Sequence, residues 1–265
     1  MAEREITLPS GAEIVVRGMK LSEANKLAAR VDASGGQAGT NASGGAAAPH
    51  VFNDLLRMCT VSIANPGPYE STDLAGFWDS ALVADRFHSL IQIRCVTYPK
   101  LPYTFRYQCE SRDSGGCGEA FSVSLNLERG GDLRYADLPE ESRKLFKAGN
   151  RFEAMIAGRK VVFSLSTGRD EARTAEYLKR YPQWPISAGL ASRIVQIEGI
   201  EDLDKLRWLN DLDLGDFMEL RDAMEAVDGG IDTNMDLPCP HCGHINFDVS
   251  IPFGRQFLLP ASSRR

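Results

Sequence analysis

The chain has 265 residues, 43% of them hydrophobic and 25% charged, with a formal net charge of −6. That balance excludes wholesale disorder, and the length accommodates one large domain or two smaller ones. It also argues against affinity built on phosphate neutralisation, which needs an excess of Lys and Arg on some face. No apolar run approaches the roughly 20 residues that span a bilayer, and Met1-Ala2-Glu3-Arg4-Glu5-Ile6 places no apolar stretch behind a positive cluster, so the expectation is a cytosolic chain without membrane insertion.

The first element is a β-hairpin: Ile6-Thr7-Leu8-Pro9-Ser10-Gly11 is an extended run and a turn, and a second run alternates toward Val16. A helical pattern covers residues 21–31. Residues 33–48 are almost entirely Gly, Ala, Ser, Asn, Thr and Gln, too poor in apolar surface to offset the entropy of ordering, and are expected to be a flexible insert. Helical patterns follow at residues 50–63 and 73–96, with Asn65-Pro66-Gly67-Pro68 as a rigid turn between them. Residues 103–107 and 120–127 read as strands leading into Cys109 and away from Cys117, with Phe121, Val123, Leu125 and Leu127 on one face.

The order then recurs. A second hairpin spans residues 152–165 around Ala157-Gly158-Arg159, and helical patterns lie near residues 169–181, 187–197, 202–210 and 213–227. The chain next reaches Cys239-Pro240-His241-Cys242, and Phe247-Asp248-Val249-Ser250-Ile251 answers Phe121-Ser122-Val123-Ser124-Leu125. Each string stands behind a cysteine pair that is followed by Gly. The expected fold class is α+β, an internally duplicated unit of β-hairpin plus helices with cysteine-tipped zinc-knuckle hairpins and a pseudo-twofold axis. Residues 1–128 form the first unit, 129–150 a connector and 151–265 the second unit. The alternative is chance recurrence of hairpins and amphipathic helices, because the likeness outside the cysteine strings is weak.

Six cysteines in a reducing compartment point to metal binding before disulfides. Cys59 and Cys95 sit in apolar helical stretches, where a thiol behaves as a small buried hydrophobe. Cys109, Cys117, Cys239 and Cys242 read as ligands of one structural Zn2+, two sulfurs from each knuckle closing a tetrahedron. Pro240 fixes φ in the second knuckle, and Gly243 can take the positive φ needed as the chain leaves the metal. A set of four thiolates leaves no position for water, which disfavours hydrolysis at the metal. Two alternatives stay open: His241 or His244 replacing one cysteine, and reduced thiols without metal.

Catalytic motifs are missing: there is no Walker loop, no dinucleotide fingerprint, no H-E-x-x-H and no G-x-S-x-G. His50, His88, His241 and His244 are the only histidines, and His88 falls in an apolar helix, where a packing role is expected. The acidic run Glu198, Glu201, Asp202, Asp204, Asp211, Asp213 and Asp216 alternates with leucines, as a solvated helix face does. Trp78, Trp184 and Trp208 read as core or interface anchors.

The ordered set of motifs resembles the baseplate hub assembly protein family of contractile-tailed, T-even-like phages and prophages. The likeness is carried by the Ile6 to Gly11 hairpin, Asp85-Arg86-Phe87 with Ile93-Arg94 and Thr97-Tyr98, and the first cysteine pair with its Phe121 strand. It continues through Ile197-Glu198-Gly199, Gly230-Ile231-Asp232, Cys239-Pro240-His241-Cys242-Gly243 and Phe257-Leu258-Leu259-Pro260. It implies a noncatalytic structural or chaperone-like role in building the hub, with other tail proteins (hub, tube or tape measure) as partners and no small-molecule substrate. Assembly would take place in the host cytoplasm, with the tail baseplate as destination. Two departures stand out: seven residues separate Cys109 from Cys117, and the 33–48 insert has no place in the pattern. The alternative is a zinc-ribbon module for nucleic acid, supported by Arg106, Tyr107, Arg112 and His241 and opposed by the acidic balance. A metalloenzyme using zinc-bound water is a third reading.

Overall fold

The computed structural model describes residues 2–26 and 49–252, with Phe257, Leu259 and Pro260. The insert expected at residues 33–48 lies outside the described residues, as does the end of the helix expected over 21–31, of which residues 21–26 are helical.

Glu3–Thr7 (β1) and Glu13–Arg17 (β2) pair antiparallel with Ile6 opposite Ile14. The period-2 pattern of β2 turns Ile14 and Val16 inward. Helix Pro49–Cys59 (α1) ends earlier than its pattern suggests, and Thr60–Asn65 (β3) pairs with β2. Thr60, Val61 and Ile63 are β-branched and stiff at χ1, and the edge of β2 supplies hydrogen bonds that a longer helix could not reach.

The helix expected over 73–96 is two helices, Leu74–Ser80 (α2) and Val83–Thr97 (α3). Asp73 caps α2, accepting from Ala75 N and Gly76 N at 3.0 Å each. Between the helices the backbone leaves helical geometry to bond elsewhere: Val83 N donates to Ser166 O at 2.9 Å, and Gly168 N to Ala81 O at 3.0 Å.

Helix α3 runs through the core with Asp85, Arg86, His88, Gln92 and Arg94 all buried. Asp85, Arg86 and Arg94 are supplied with polar partners, as burial requires, while Arg86 Nε and His88 Nδ1 find none among the described residues. Asp85 accepts from Ser10 N at 3.0 Å, from Ser10 Oγ at 2.5 Å and from Tyr69 OH at 2.5 Å. Arg86 donates to Trp78 O and to Glu171 Oε2, both at 2.6 Å, and to Asn53 Oδ1. Arg94 donates to Phe257 O at 2.9 Å and to Leu101 O and Pro102 O at 3.3 Å, with its guanidinium over the rings of Tyr98, Tyr103 and Phe257. The hairpin turn at Ser10 and the late Phe257 are thus both fastened to α3.

Tyr103–Gln108 (β4) and Ala120–Leu125 (β5) form a two-stranded ribbon with Phe121, Val123 and Leu125 inward. Arg134–Ala136 (β6) and Glu140–Lys147 (α4) occupy the connector. Phe152–Ile156 (β7) and Arg159–Phe163 (β8) are the expected second hairpin, joined by Ala157 at φ 48° and Gly158 at φ 71°. Positive φ at both central residues matches the right-handed twist of the flanking strands.

Gly168–Arg180 (α5) starts at a capping box between Thr167 and Asp170. Pro185–Ala191 (α6) is followed by Ile194–Ile197 (β9), which pairs with β8. Here too the β-branched Ile194, Val195 and Ile197 leave a pattern that reads as helical through residue 197. Lys205–Asn210 (α7) and Leu214–Ala226 (α8) lead to Gly230–Asp232 (β10), which pairs with β6. Asn234–Pro238 (β11) and Ile245–Ser250 (β12) form a second two-stranded ribbon.

The architecture is mixed α+β with several small antiparallel sheets: three-stranded β1-β2-β3 and β7-β8-β9, and two-stranded β4-β5, β11-β12 and β6-β10. Buried apolar side chains from both sides of the connector share one core. Among the described residues no helix is long and apolar enough to cross a membrane.

Candidate metal centre

The two ribbons bring together the four cysteines singled out in the sequence. Cys109 follows β4 and Cys117 precedes β5, while Cys239 and Cys242 lie in the turn from β11 to β12. All four sulfurs lie within 4.8 Å of one another. Two of the pairs cross between the ribbons: Cys109 Sγ to Cys242 Sγ is 3.9 Å and Cys117 Sγ to Cys239 Sγ is 3.7 Å, across 133 and 122 residues of chain. A tetrahedron with arms of about 2.3 Å has edges of about 3.8 Å, so the spacing fits four Zn–S bonds. It is far too long for a disulfide, whose S–S length is about 2.05 Å.

Backbone hydrogen bonds shape each knuckle. Cys239 N donates to His244 O at 2.8 Å and Gly243 N to Cys239 O at 2.9 Å, with Gly243 at φ 75°. The first loop folds its seven intervening residues around a 3-10 turn at Arg112–Ser114, and Gly118 N returns to Glu110 O at 2.9 Å. Cys109 N donates to Glu119 O at 3.0 Å. The enlarged tip therefore still presents Cys109 and Cys117 side by side.

Gly116 makes that possible. A Cβ there would stand 2.1 Å from Glu110 O and 3.0 Å from Cys109 Sγ. Gly116→Ala is expected to push the loop open and lower metal affinity by at least about tenfold, the scale seen when groups supporting metal ligands are lost. Competition for zinc against a chromogenic chelator measures it, and unchanged affinity would show that the loop relaxes without moving the sulfurs.

Three of the thiols are sheltered to different degrees and Cys242 is exposed. Burial opposes ionisation of Cys239, but the backbone N–H groups of His241 and Cys242 and the neighbouring thiols outweigh it, bringing this thiol down to about 7. At Cys117 a hydrogen bond from the Glu119 backbone favours the thiolate; burial and the other three thiols prevail, and it rises to about 12. Four thiolates in this space repel one another until a cation is present, and a divalent ion with soft character supplies the missing charge.

A polar stitch beside the cluster joins the two ribbons. Asn246 is fully buried, accepts from Glu110 N at 3.0 Å and donates to Leu237 O at 2.9 Å. His244 Nε2 meets Glu110 Oε2 at 3.1 Å. His244 is thus engaged across the ribbons, and among the described residues the group that could hold a metal consists of the four cysteines. Sequence reasoning missed Asn246, whose signal is an amide at an inward strand position. His241 is exposed, as are Arg106 and Arg112, with Tyr107 half-buried.

The remaining candidates fall outside the cluster. Burial pushes the thiols of Cys59 and Cys95 up to about 12 and about 11, as small buried hydrophobes. Glu198, Glu201, Asp202, Asp204, Asp211 and Asp213 are exposed, and Asp202 pairs with Lys205 at 2.5 Å. His88 is buried edge-on to Tyr135. Trp78 is buried, and Trp184 and Trp208 are half-buried against the core.

Comparison with protein-family models, with curated proteins and with solved structures finds no match for the chain.

Proposed function

We propose that the chain is a noncatalytic assembly protein held in shape by a structural zinc, and that it works in building the baseplate hub of a contractile phage tail. The observation that carries the first half is the sulfur cluster: four cysteines within 4.8 Å of one another would fill every position of a tetrahedral zinc ion. An ion so enclosed acts by binding two distant stretches of chain, with no position for a reacting water. Bound zinc would supply cross-linking alone, while Gly116, Asn246 and Glu110 orient the loops that hold it.

The second half rests on the family resemblance. Its motifs meet in the fold's framework, since Ser10 is bonded to Asp85 and Arg94 to Phe257. Motifs spent on internal fastening suit a protein whose product is a shape. A duplicated origin is part of the same reading: a hairpin, one or two helices, a third strand, two helices and a cysteine ribbon come in that order on each side of residues 129–150, with β10 added before the second ribbon. A pseudo-twofold would then pass near the metal, each unit giving one knuckle.

The test has two arms. Elemental analysis of the natively purified chain should return one zinc per chain, and mass spectrometry of purified tails and of tail-assembly intermediates should contain this chain. Zinc-free protein with full stability would remove the clamp. A chain missing from both tails and intermediates, or a shift with single-stranded DNA at low salt, would move the reading to the nucleic-acid module.

A further inference from the structure

The two cysteine ribbons differ in one strand. β5 alternates strictly, with Phe121, Val123 and Leu125 buried and Ser122 and Ser124 exposed. In β12 the alternation slips: Asn246 and Val249 are buried, and Phe247 and Asp248 are both exposed. The slip is a bulge, with the register shifting between Met235 and Leu237 so that Phe247 and Asp248 face the single Asp236. Asp248 takes φ 52°, a conformation that side-chain-bearing residues rarely adopt. Its backbone N donates to Asp236 Oδ1 at 3.1 Å, and its own Oδ1 accepts from Asn234 Nδ2 at 2.9 Å.

The inward half of this arrangement serves the chain itself, because it delivers Asn246 to the stitch between ribbons. The outward half does not. Phe247 is 68% exposed, and Ile245, two residues earlier on the same face, is 43% exposed. Pro238, the cross-strand partner of Ile245, is exposed beside them. Ser122 and Ser124, outward residues of the first ribbon, show that a polar side chain is sufficient on such a surface.

We propose that Phe247, flanked by Ile245 and Pro238, is the anchor for a second protein whose matching surface is an apolar pocket rimmed by Lys or Arg. This deepens the assembly reading and rests on it, naming the surface through which assembly would occur. An aromatic ring gains most when it moves from water into a fitted pocket, and such rings are enriched at the centres of interfaces. The platform is stiff in advance of binding, held by strand pairing and by the cysteine knuckle at one end, so little freedom is lost when a partner docks.

Charge selects the partner. The ribbon and its turn, residues 234–250, contain two carboxylates and no Lys or Arg. Asp236 and Asp248 stand exposed beside the ring. A cationic rim on the pocket complements them, whereas nucleic-acid phosphate and the same ribbon of a second copy are repelled.

The experiment places the photo-crosslinking residue p-benzoylphenylalanine at position 247 of the full chain, in the cells that naturally produce it. The control carries the same residue at Met155, 60% exposed on β7. The expected result is one crosslinked protein at 247 and not at 155, with the attached peptide apolar and bearing Lys or Arg. Phe247→Ser should weaken the purified pair at least about tenfold, the effect of losing an interface anchor, while keeping the parent's zinc content and melting temperature. No adduct, equal adducts at both positions, a nucleic-acid adduct, a second copy of this chain, or an acidic pocket would each overturn the proposal. If the chain is present in tails while position 247 gives no adduct, the anchor falls and the assembly reading stands. A basic-rimmed partner unrelated to tails would do the reverse.

Discussion

Cys242→Ser is expected to purify without zinc and to unfold well below the parent's melting temperature. Three sulfurs would remain within reach of the ion, but the pair that holds Cys109 Sγ 3.9 Å from Cys242 Sγ would be gone. Each ribbon has only two strands, and such a hairpin is marginal in water without a packed face or a cross-link. A structural zinc can contribute on the order of 10 kcal/mol, comparable to the whole net stability of a domain at about 5–15 kcal/mol. Loss is partial because Asn246, Glu110 and the shared core still connect the ribbons, so a drop of several kcal/mol is the expected scale. The informative companion is Cys59→Ser, at a fully buried thiol outside the cluster. It should cost about 1–3 kcal/mol through the buried hydroxyl and leave zinc untouched. Chelation of the parent should reproduce the Cys242→Ser melting curve. Should parent and Cys242→Ser both lack zinc and melt together, the metal has no part in the fold.

The pairing of Cys109 and Cys117 with Cys239 and Cys242 is legible in the sequence because zinc chemistry restricts it. Few other uses suit two cysteine pairs each followed by Gly, and strands flanking them announce hairpins. What escapes is what depends on tertiary partners. Residues 60–63 and 194–197 carry apolar spacing compatible with helix, and the neighbouring sheet edges at β2 and β8 draw them into strands. The break at Ala81 and Leu82 is likewise set by distant backbone, at Ser166 and Gly168. Phe247 shows the same limit at finer scale. Matching Phe121-Ser122-Val123-Ser124 with Phe247-Asp248-Val249-Ser250 predicts two inward phenylalanines, and the bulge at Asp248 turns one of them out.

The other large effect concerns two buried titrating groups three residues apart on α3. Burial pushes Asp85 up to about 6, against the donors Ser10 and Tyr69 and the charge of Arg143. Burial brings His88 down to about 4, aided by Arg129 and opposed by Asp137. The folded state therefore holds the Asp85 proton more tightly than the unfolded chain does, and this group's contribution to stability grows as pH falls from above 6 to below 4. His88 has the opposite sign. The unfolded chain takes up its proton near 6.5 before the fold does, so stability is lost as pH falls from 6.5 to about 4. At about 1.4 kcal/mol per unit, each effect is on the order of 3 kcal/mol, and in the parent they nearly cancel. Asp85→Asn removes one side of the balance and should lose about 2 kcal/mol relative to the parent between pH 7 and 4.5, because it forgoes the stability gained when Asp85 takes up its proton. His88→Leu removes the other, and its stability should rise against the parent's between pH 6.5 and 4. Urea unfolding of all three proteins at pH 4.5 and 7 reads both differences, and carboxylates common to all three cancel in the comparison. Parallel curves for the three would mean that neither α3 group changes protonation on folding.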